Sequence, residues 1–343
     1  MRMEVGMQFY MAPMEGLTGY VFRNAYQKYY GGIDRYFTPF ITNRKLNYRE
    51  QQDILPEHNT GMDVVPQILT NRAEEFLCIA GELERSGYRT VNLNLGCPSG
   101  TVAAKNRGAG FLALPDELDA FLDEIFTKCP LSVSIKTRIG KESEAEWERL
   151  LGIYEKYPLE ELIIHPRVQK DFYKNTVRLE AFAQAVEKSR HSLCYNGDIC
   201  TAEDYGRLLA QFAGTEKVMI GRGLLKRPWL IGELRAKAEN PGSCAQAHSV
   251  EKRMADARTG QPQSPDETAQ KERFLAFHDD ILHGYMSAMS GDKNTLFKMK
   301  ELWVYFAQSF TNPEKYMKKI RKSERIAEYE LHVAALLREQ ELK

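Results

Sequence analysis

Through the first two-thirds of the 343-residue chain, short β-rich apolar runs alternate with longer stretches whose apolar residues recur at helical spacing. The runs predict strands near Gln8–Ala12, Tyr36–Thr38, Val64–Ile68, Thr90–Asn94, Ser132–Lys136, Glu161–His165, Leu193–Asn196 and Lys217–Ile220. The amphipathic stretches between them include Arg72–Ser86, Pro115–Phe126, Glu142–Lys156, Leu179–Lys188 and Ala202–Gln211. Strand–helix alternation implies a parallel sheet with right-handed crossovers, and eight units at this length imply a closed (β/α)8 TIM barrel. An open doubly wound sheet is the alternative, weakened because no G-x-G-x-x-G follows the first strand.

The rhythm stops near residue 239. Residues Glu239–Gln270 are poor in apolar side chains and contain Pro241, Gly242, Gly260, Pro262 and Pro265, which predicts a linker. From Lys271 onward the pattern is helical throughout. The expected organisation is a catalytic barrel over 1–238, a linker over 239–270 and a small all-helical C-terminal domain over 271–343. Cutting within the linker should then break few contacts.

Composition narrows the class without naming a function. Lysine and arginine total 47, as do aspartate and glutamate, so nucleic-acid binding could show only in local clusters. No apolar run is long enough for a membrane span, and no signal-peptide pattern follows the start, so a cytoplasmic location is the expectation. The six cysteines are scattered without a C-x-x-C pair, which argues against a zinc or other metal site and against a disulfide framework.

Chemistry enters at the strand ends. Pro13 and Met14 follow the first expected strand, and Gln67 closes the third. Asn94 and Cys97 mark the fourth, Lys136 and Arg138 the fifth, His165 and Arg167 the sixth. Asn196-Gly197-Asp198 and Gly221-Arg222-Gly223 mark the last two. In a barrel these positions share one mouth, where barrel active sites are built. Capping does not explain them, because Lys, Gln and His are poor N-caps. The two glycine-containing turns in adjacent units suit a phosphate, since glycine lets backbone N–H groups approach an anion. Taken singly, each could be no more than a tight turn.

Cys97 lies in Asn94-Leu95-Gly96-Cys97-Pro98-Ser99, where Gly96 and Pro98 fix the turn and give the thiol a defined aim. A reference thiol pKa of about 8.5 leaves it protonated at neutral pH, fit to act as a general acid. Lys136 follows the β-branched run Val133-Ser134-Ile135 and could face a group that becomes anionic.

These stretches, with Ala12-Pro13-Met14-Glu15-Gly16, Thr18, Phe22-Arg23 and Pro66-Gln67, resemble the tRNA-dihydrouridine synthases in order and spacing from about Tyr10 to Trp229. The resemblance implies FMN in the mouth, with NADPH as electron donor. It implies Pro13, Met14 and Glu15 beside the isoalloxazine, and Gln67, Lys136 and His165 at its polar edge. Asn196, Gly197, Asp198, Gly221 and Arg222 would lie around the ribityl phosphate, and Asn94 near the uracil. Hydride added at C6 of a uridine and a proton from Cys97 at C5 would give dihydrouridine. The helical tail, with Trp303 and Tyr305, resembles the family's RNA-binding domain more loosely. One departure is Asn175, where the family often has glycine; a left-handed asparagine would keep that turn.

A tRNA partner also fits the local charge. Lys105 and Arg107 sit in a stretch, Asn92 to Pro115, that holds no acid, and Arg138 and Arg167 are further candidate substrate contacts. Lys293–Arg325 carries nine cations, including Lys298, Lys300, Lys318, Lys319 and Lys322, against three acids, a net charge of +6. That sign bias favours a phosphate-binding surface over an ordinary solvated helix face. No obligate protein partner is implied. The alternative is a flavin barrel acting on a free pyrimidine, like the dihydroorotate dehydrogenases, which has no need of the basic tail.

Overall fold

The computed structural model describes residues 6–42, 44–239 and 265–343. Eight strands form a closed barrel: β1 (Gln8–Met11), β2 (Arg35–Ile41), β3 (Val64–Ile68), β4 (Thr90–Leu95), β5 (Ser132–Gly140), β6 (Leu162–Val168), β7 (Leu193–Tyr195) and β8 (Lys217–Ile220). All neighbours are parallel, and β8 closes on β1 through pairs such as Tyr10↔Met219. The TIM barrel expected from the alternation is therefore the observed fold.

Three strands run longer than their apolar runs suggest. β2 continues past Pro39, which sits where the register with β3 shifts between Phe37 and Phe40. A proline lacks the ladder N–H and is tolerated at such an irregularity. β5 and β6 continue through Arg138↔His165 to Gly140↔Val168, so Lys136, Arg138, His165 and Arg167 lie within strands rather than after them. Tyr10, Ala12, Phe37, Val65, Ile163, Cys194 and Met219 form a buried apolar cluster in the barrel.

Helices follow the strands: α1 (Tyr20–Tyr29), α2 (Tyr48–Ile54), α3 (Ala73–Arg85), α4 (Gly100–Ala103), α5 (Pro115–Lys128), α6 (Trp147–Tyr154), α7 (Leu179–Lys188), α8 (Ala202–Gln211), α9 (Arg222–Lys226) and α10 (Leu230–Glu239). The tail adds α11 (Pro265–Ala288), α12 (Gly291–Phe306), α13 (Glu314–Lys322) and α14 (Ile326–Glu339). Of the expected linker, residues 240–264 lie outside the described residues, and α11 begins at Pro265. Among the described residues no helix is long and apolar enough to cross a membrane.

The chain packs as two compact units. One takes the chain up to Tyr20, with Ile33–Ile199 and Gly206–Gly221. The other takes Val21–Gly32, Cys200–Tyr205 and the described residues from Arg222 onward. Its core is aromatic. Phe277 on α11 meets Phe22, Tyr26 and Tyr30 edge-on at 5.6, 6.2 and 5.2 Å, and Phe274 meets Trp303, Phe306 and Phe310. α1 thus contributes most of its length to the helical unit. Trp303 is fully buried and donates from its indole N–H to Tyr329 Oη at 2.6 Å. Tyr329 Oη also lies 2.5 Å from His278 Nε2. Burial thus comes with polar contacts at Trp303, Tyr329 and His278, whereas the buried Tyr30 hydroxyl has no hydrogen-bond partner among the described residues.

Candidate active site

Period-two alternation places the candidate residues. Inward-facing Val65, Ile163, Cys194 and Met219 are each followed two residues later by Gln67, His165, Asn196 and Gly221. On β4 and β5, Asn92 and Ser134 are joined side chain to side chain, so they share a face, and so do Asn94, Lys136 and Arg138 by the same parity. The barrel interior therefore turns from apolar to polar toward the C-terminal ends of its strands.

The Cys97 turn is held on several sides. Asn94 Oδ1 accepts the backbone N–H groups of Gly96 and Cys97 at 3.0 and 2.9 Å. Asn94 Nδ2 donates to Gln67 Oε1 at 2.7 Å. The Cys97 carbonyl accepts from Ala109 at 3.1 Å. Next to it, Gly108 has φ +56, and a Cβ there would come 2.9 Å from Cys97 Cβ, so this close approach requires glycine. The Cys97 thiol is half-buried. Burial pushes its pKa above the ordinary thiol value, and a Ser99 backbone N–H, Arg138 and Lys136 pull the other way.

Beside it, the Lys136 ammonium has neither hydrogen bond nor ion pair among the described residues. Burial, helped by the neighbouring Arg138 charge, brings it down to about 8. Arg138 itself is fully buried, and its three nitrogens donate to the carbonyls of Gly96 (3.0 Å), Val168 (2.8 Å) and Phe172 (2.7 Å). Its guanidinium also lies 5.3 Å from the centre of the Tyr173 ring. One cation thereby ties the Cys97 turn to the loop after β6.

Arg167 is equally buried. It makes a two-pronged ion pair with Asp198 at 2.5 and 3.2 Å and donates to His165 Nε2 at 3.0 Å and to the Asn175 carbonyl at 2.7 Å. An acceptor role at Nε2 leaves the His165 proton on Nδ1. In the loop after β6 the left-handed residue is Phe172, at φ 49, and not Asn175. Asn175 instead donates from its amide to Asp171 at 2.6 Å, and Asp171 also pairs with Arg178 and accepts the Val168 N–H. The expectation of a left-handed Asn175 is corrected accordingly: a carboxylate clamp shapes this turn.

At the last two strand ends, neighbouring side chains pack closely against glycines. A Cβ at Gly197 would lie 2.0 Å from Tyr195 Oη, so no side chain fits there. At Gly221 a Cβ would meet Met14 Sδ and Ala12 Cβ, both at 3.4 Å, which puts Met14 against that turn. Met14 is fixed by Thr18, whose Oγ1 accepts its N–H at 2.8 Å. Pro13 is half-buried, and exposed Glu15 pairs with Arg49 at 2.5 Å. Asn196 Nδ2 donates to the Met219 carbonyl at 2.8 Å. Arg222 opens α9 directly after Gly221 and belongs to the helical unit.

A family model described as dihydrouridine synthase matches residues 10–302. The chain belongs to the dihydrouridine synthase family. Among curated relatives, a "Probable tRNA-dihydrouridine synthase" of Staphylococcus aureus (strain COL) is 30% identical over 64% of this chain and 69% of its own. A "tRNA-dihydrouridine(16) synthase" of Aquipseudomonas alcaligenes is 28% identical over 67% of this chain and 76% of its own. Among solved structures, morphinone reductase in complex with tetrahydroNAD aligns with TM-score 0.45 at 14% identity, covering 69% of this chain and 90% of that one.

The cations proposed for RNA fall into two groups. Arg107 pairs with Glu75 at 2.9 Å, Lys298 pairs with Glu301 at 3.1 Å, and Lys300 donates to the Ser323 carbonyl at 2.6 Å. Lys105, Lys318, Lys319 and Lys322 are exposed. The last three lie on α13, whose Tyr316, Met317 and Ile320 are buried on the other face. Four polar residues at the site were assigned no role from the sequence: Asn92, Ser134, Asp171 and Arg178. For Asn92 and Ser134 a signal existed, since each lies two positions before a candidate residue on a buried strand.

Proposed function

We propose that the barrel mouth binds FMN and reduces the C5=C6 bond of uridines in tRNA to 5,6-dihydrouridine, with NADPH as electron donor. The observation that carries this reading is an unpartnered Lys136 ammonium on β5 beside a neutral thiol, Cys97, in the turn after the neighbouring strand β4. The residues present fit the cofactor. Lys136 offers an unanswered cation, and the phosphate would be held by backbone N–H groups of the turns at Gly197 and Gly221, which carry no side chain of their own. Met14 provides an apolar surface beside Gly221. Asp198 would contribute through its N–H only, because its carboxylate is occupied by Arg167.

FMN, when bound, supplies the hydride that adds to C6 of the uracil. As that bond forms, negative charge develops over C5 and O4 of the base. Cys97 delivers its proton to C5, which completes the addition of two hydrogens across the bond. Burial raises the thiol above an ordinary value that already leaves it protonated at neutral pH, so it is held as a donor. Lys136 balances negative charge in the mouth. Arg138 and Arg167 act as clamps on the surrounding loops, a role their buried, fully engaged guanidinium groups suit better than contact with RNA. The substrate base must leave its stack to reach Cys97, and the exposed lysines of α13 would bind backbone phosphates.

The test is direct. Purified protein should be yellow and release FMN on denaturation. Cys97→Ala should keep its flavin and still oxidise NADPH, with uridine reduction in tRNA lowered about 10²-fold or more. Colourless protein unable to bind added FMN, or near-normal uridine reduction by the variant, would overturn the reading.

A further inference from the structure

Two fully buried polar residues have no part in the chemistry above. Asn92 and Ser134 sit one step deeper in the barrel than Asn94 and Lys136, and their side chains extend a hydrogen-bonded row. The direction of that row can be worked out from its outer end. Backbone N–H groups can only donate, so the Asn94 atom facing Gly96 and Cys97 is its oxygen. Asn94 Nδ2 therefore faces Gln67 Oε1 at 2.7 Å, and Gln67 Nε2 faces Asn92 Oδ1 at 2.7 Å. Asn92 Nδ2 donates to Ser134 Oγ at 2.8 Å, which leaves the serine hydrogen for the Val91 carbonyl at 3.4 Å. Every amide is fixed in one of its two orientations.

We propose that Asn92 and Ser134 are positioning residues for Cys97. They anchor the inner end of the row whose outer end holds the Cys97 turn. Without an acceptor at 92, the Gln67 amide is free to invert. An inverted Gln67 sets its NH2 against the NH2 of Asn94, donor against donor, and drives Asn94 off the turn. The thiol then loses part of its burial and becomes more accessible. The inference rests on Cys97 being the proton donor, but its test does not depend on activity.

The variants separate the acceptor from the volume it fills. Asn92→Leu removes the acceptor. Asn92→Asp keeps one facing Gln67 and takes the Ser134 hydrogen at its other oxygen. Full-length protein as purified is treated with iodoacetamide, and each cysteine is followed by peptide mass spectrometry. Fully buried Cys194 reports any general opening of the barrel. In Asn92→Leu, Cys97 should react about tenfold faster while Cys194 stays silent, the size of change that losing one net hydrogen bond produces. In Asn92→Asp, Cys97 should stay within about threefold of the parent, the smaller change left when the hydrogen bond is kept. An unchanged Cys97 rate in Asn92→Leu, or equal acceleration in both variants, overturns the proposal. If Asn92→Leu also opens Cys194, Ser134→Ala decides. Faster Cys97 with silent Cys194 supports positioning, and any other result removes it. None of these outcomes touches the flavin and tRNA measurements, so this inference can fail while the proposed function stands.

Discussion

Replacing Lys136 by methionine should make the flavin-free protein more stable at neutral pH, although it damages the site. Burial and the Arg138 charge bring the ammonium from its ordinary 10.5 to about 8. A lysine whose folded pKa is lowered opposes folding wherever it is charged in both states. That penalty is full below pH 8 and fades as pH rises from about 8 to 10.5, where the unfolded chain holds the extra proton. A fall of this size corresponds to ~3 kcal/mol at pH 7, of which ~2 kcal/mol is recovered by about pH 9.5. Methionine has similar length and no charge, so it escapes the penalty at every pH. Urea denaturation of both flavin-free proteins at about pH 7 and 9.5 measures this. The variant's advantage should be ~3 kcal/mol at the lower pH and ~1 kcal/mol at the higher. Flavin retention by the parent should weaken as pH rises through 8, and the variant's should be weak throughout. A methionine variant less stable than the parent at pH 7, or an advantage equal at both pH values, would refute the reasoning.

Reversing Lys318, Lys319 and Lys322 to glutamate should weaken tRNA binding about tenfold or more at ~0.1 M salt and flatten its salt dependence, with the flavin spectrum unchanged; filter binding across a salt series measures it. Gly197→Ala should cost about 1–3 kcal/mol through the clash with Tyr195 and loosen flavin retention, read by denaturation and by flavin fluorescence on dilution. A chain ending near Gln261 loses Phe277 and so uncovers Phe22, Tyr26 and Tyr30. It should bind a hydrophobic dye and aggregate, whereas the apolar-poor sequence around the cut suggests that little is lost.

The barrel was legible because its periodicities are strong. Runs such as Thr90–Asn94 and Lys217–Ile220 lie within about one residue of the observed strands. The Cys97 turn was legible too, because Gly96 and Pro98 punctuate it. The roles of Arg138 and Arg167 were not. A cation near a strand end looks the same whether it faces a phosphate or carbonyls, and here the carbonyls of Gly96, Val168 and Phe172 come from two separate stretches of chain. The packing of α1 was hidden for a similar reason. An amphipathic pattern shows that Phe22 and Tyr26 are buried, but not that Phe277 covers them.

The charge arrangement at the mouth bears on why these groups are there at all. A barrel that had only to fold would gain by replacing buried cations with apolar side chains of similar size. Here three cations line β5 and β6. Asp198 neutralises Arg167, and carbonyl groups absorb Arg138, so Lys136 is left to meet negative charge. A proton donor in such surroundings faces a conflict, because cations favour the thiolate, which has no proton to give. At Cys97 burial outweighs the pull of Arg138 and Lys136. The same Arg138 that pulls on the thiol also fixes the Gly96 carbonyl, and Asn94 fixes the N–H groups on either side of that turn. Holding the turn closed therefore keeps the thiol buried, and that burial is what raises its pKa. Under the proposed mechanism, a site that stabilises an anion and donates a proton needs cations and a shielded thiol together, and the polar row behind Asn94 would let one barrel hold both.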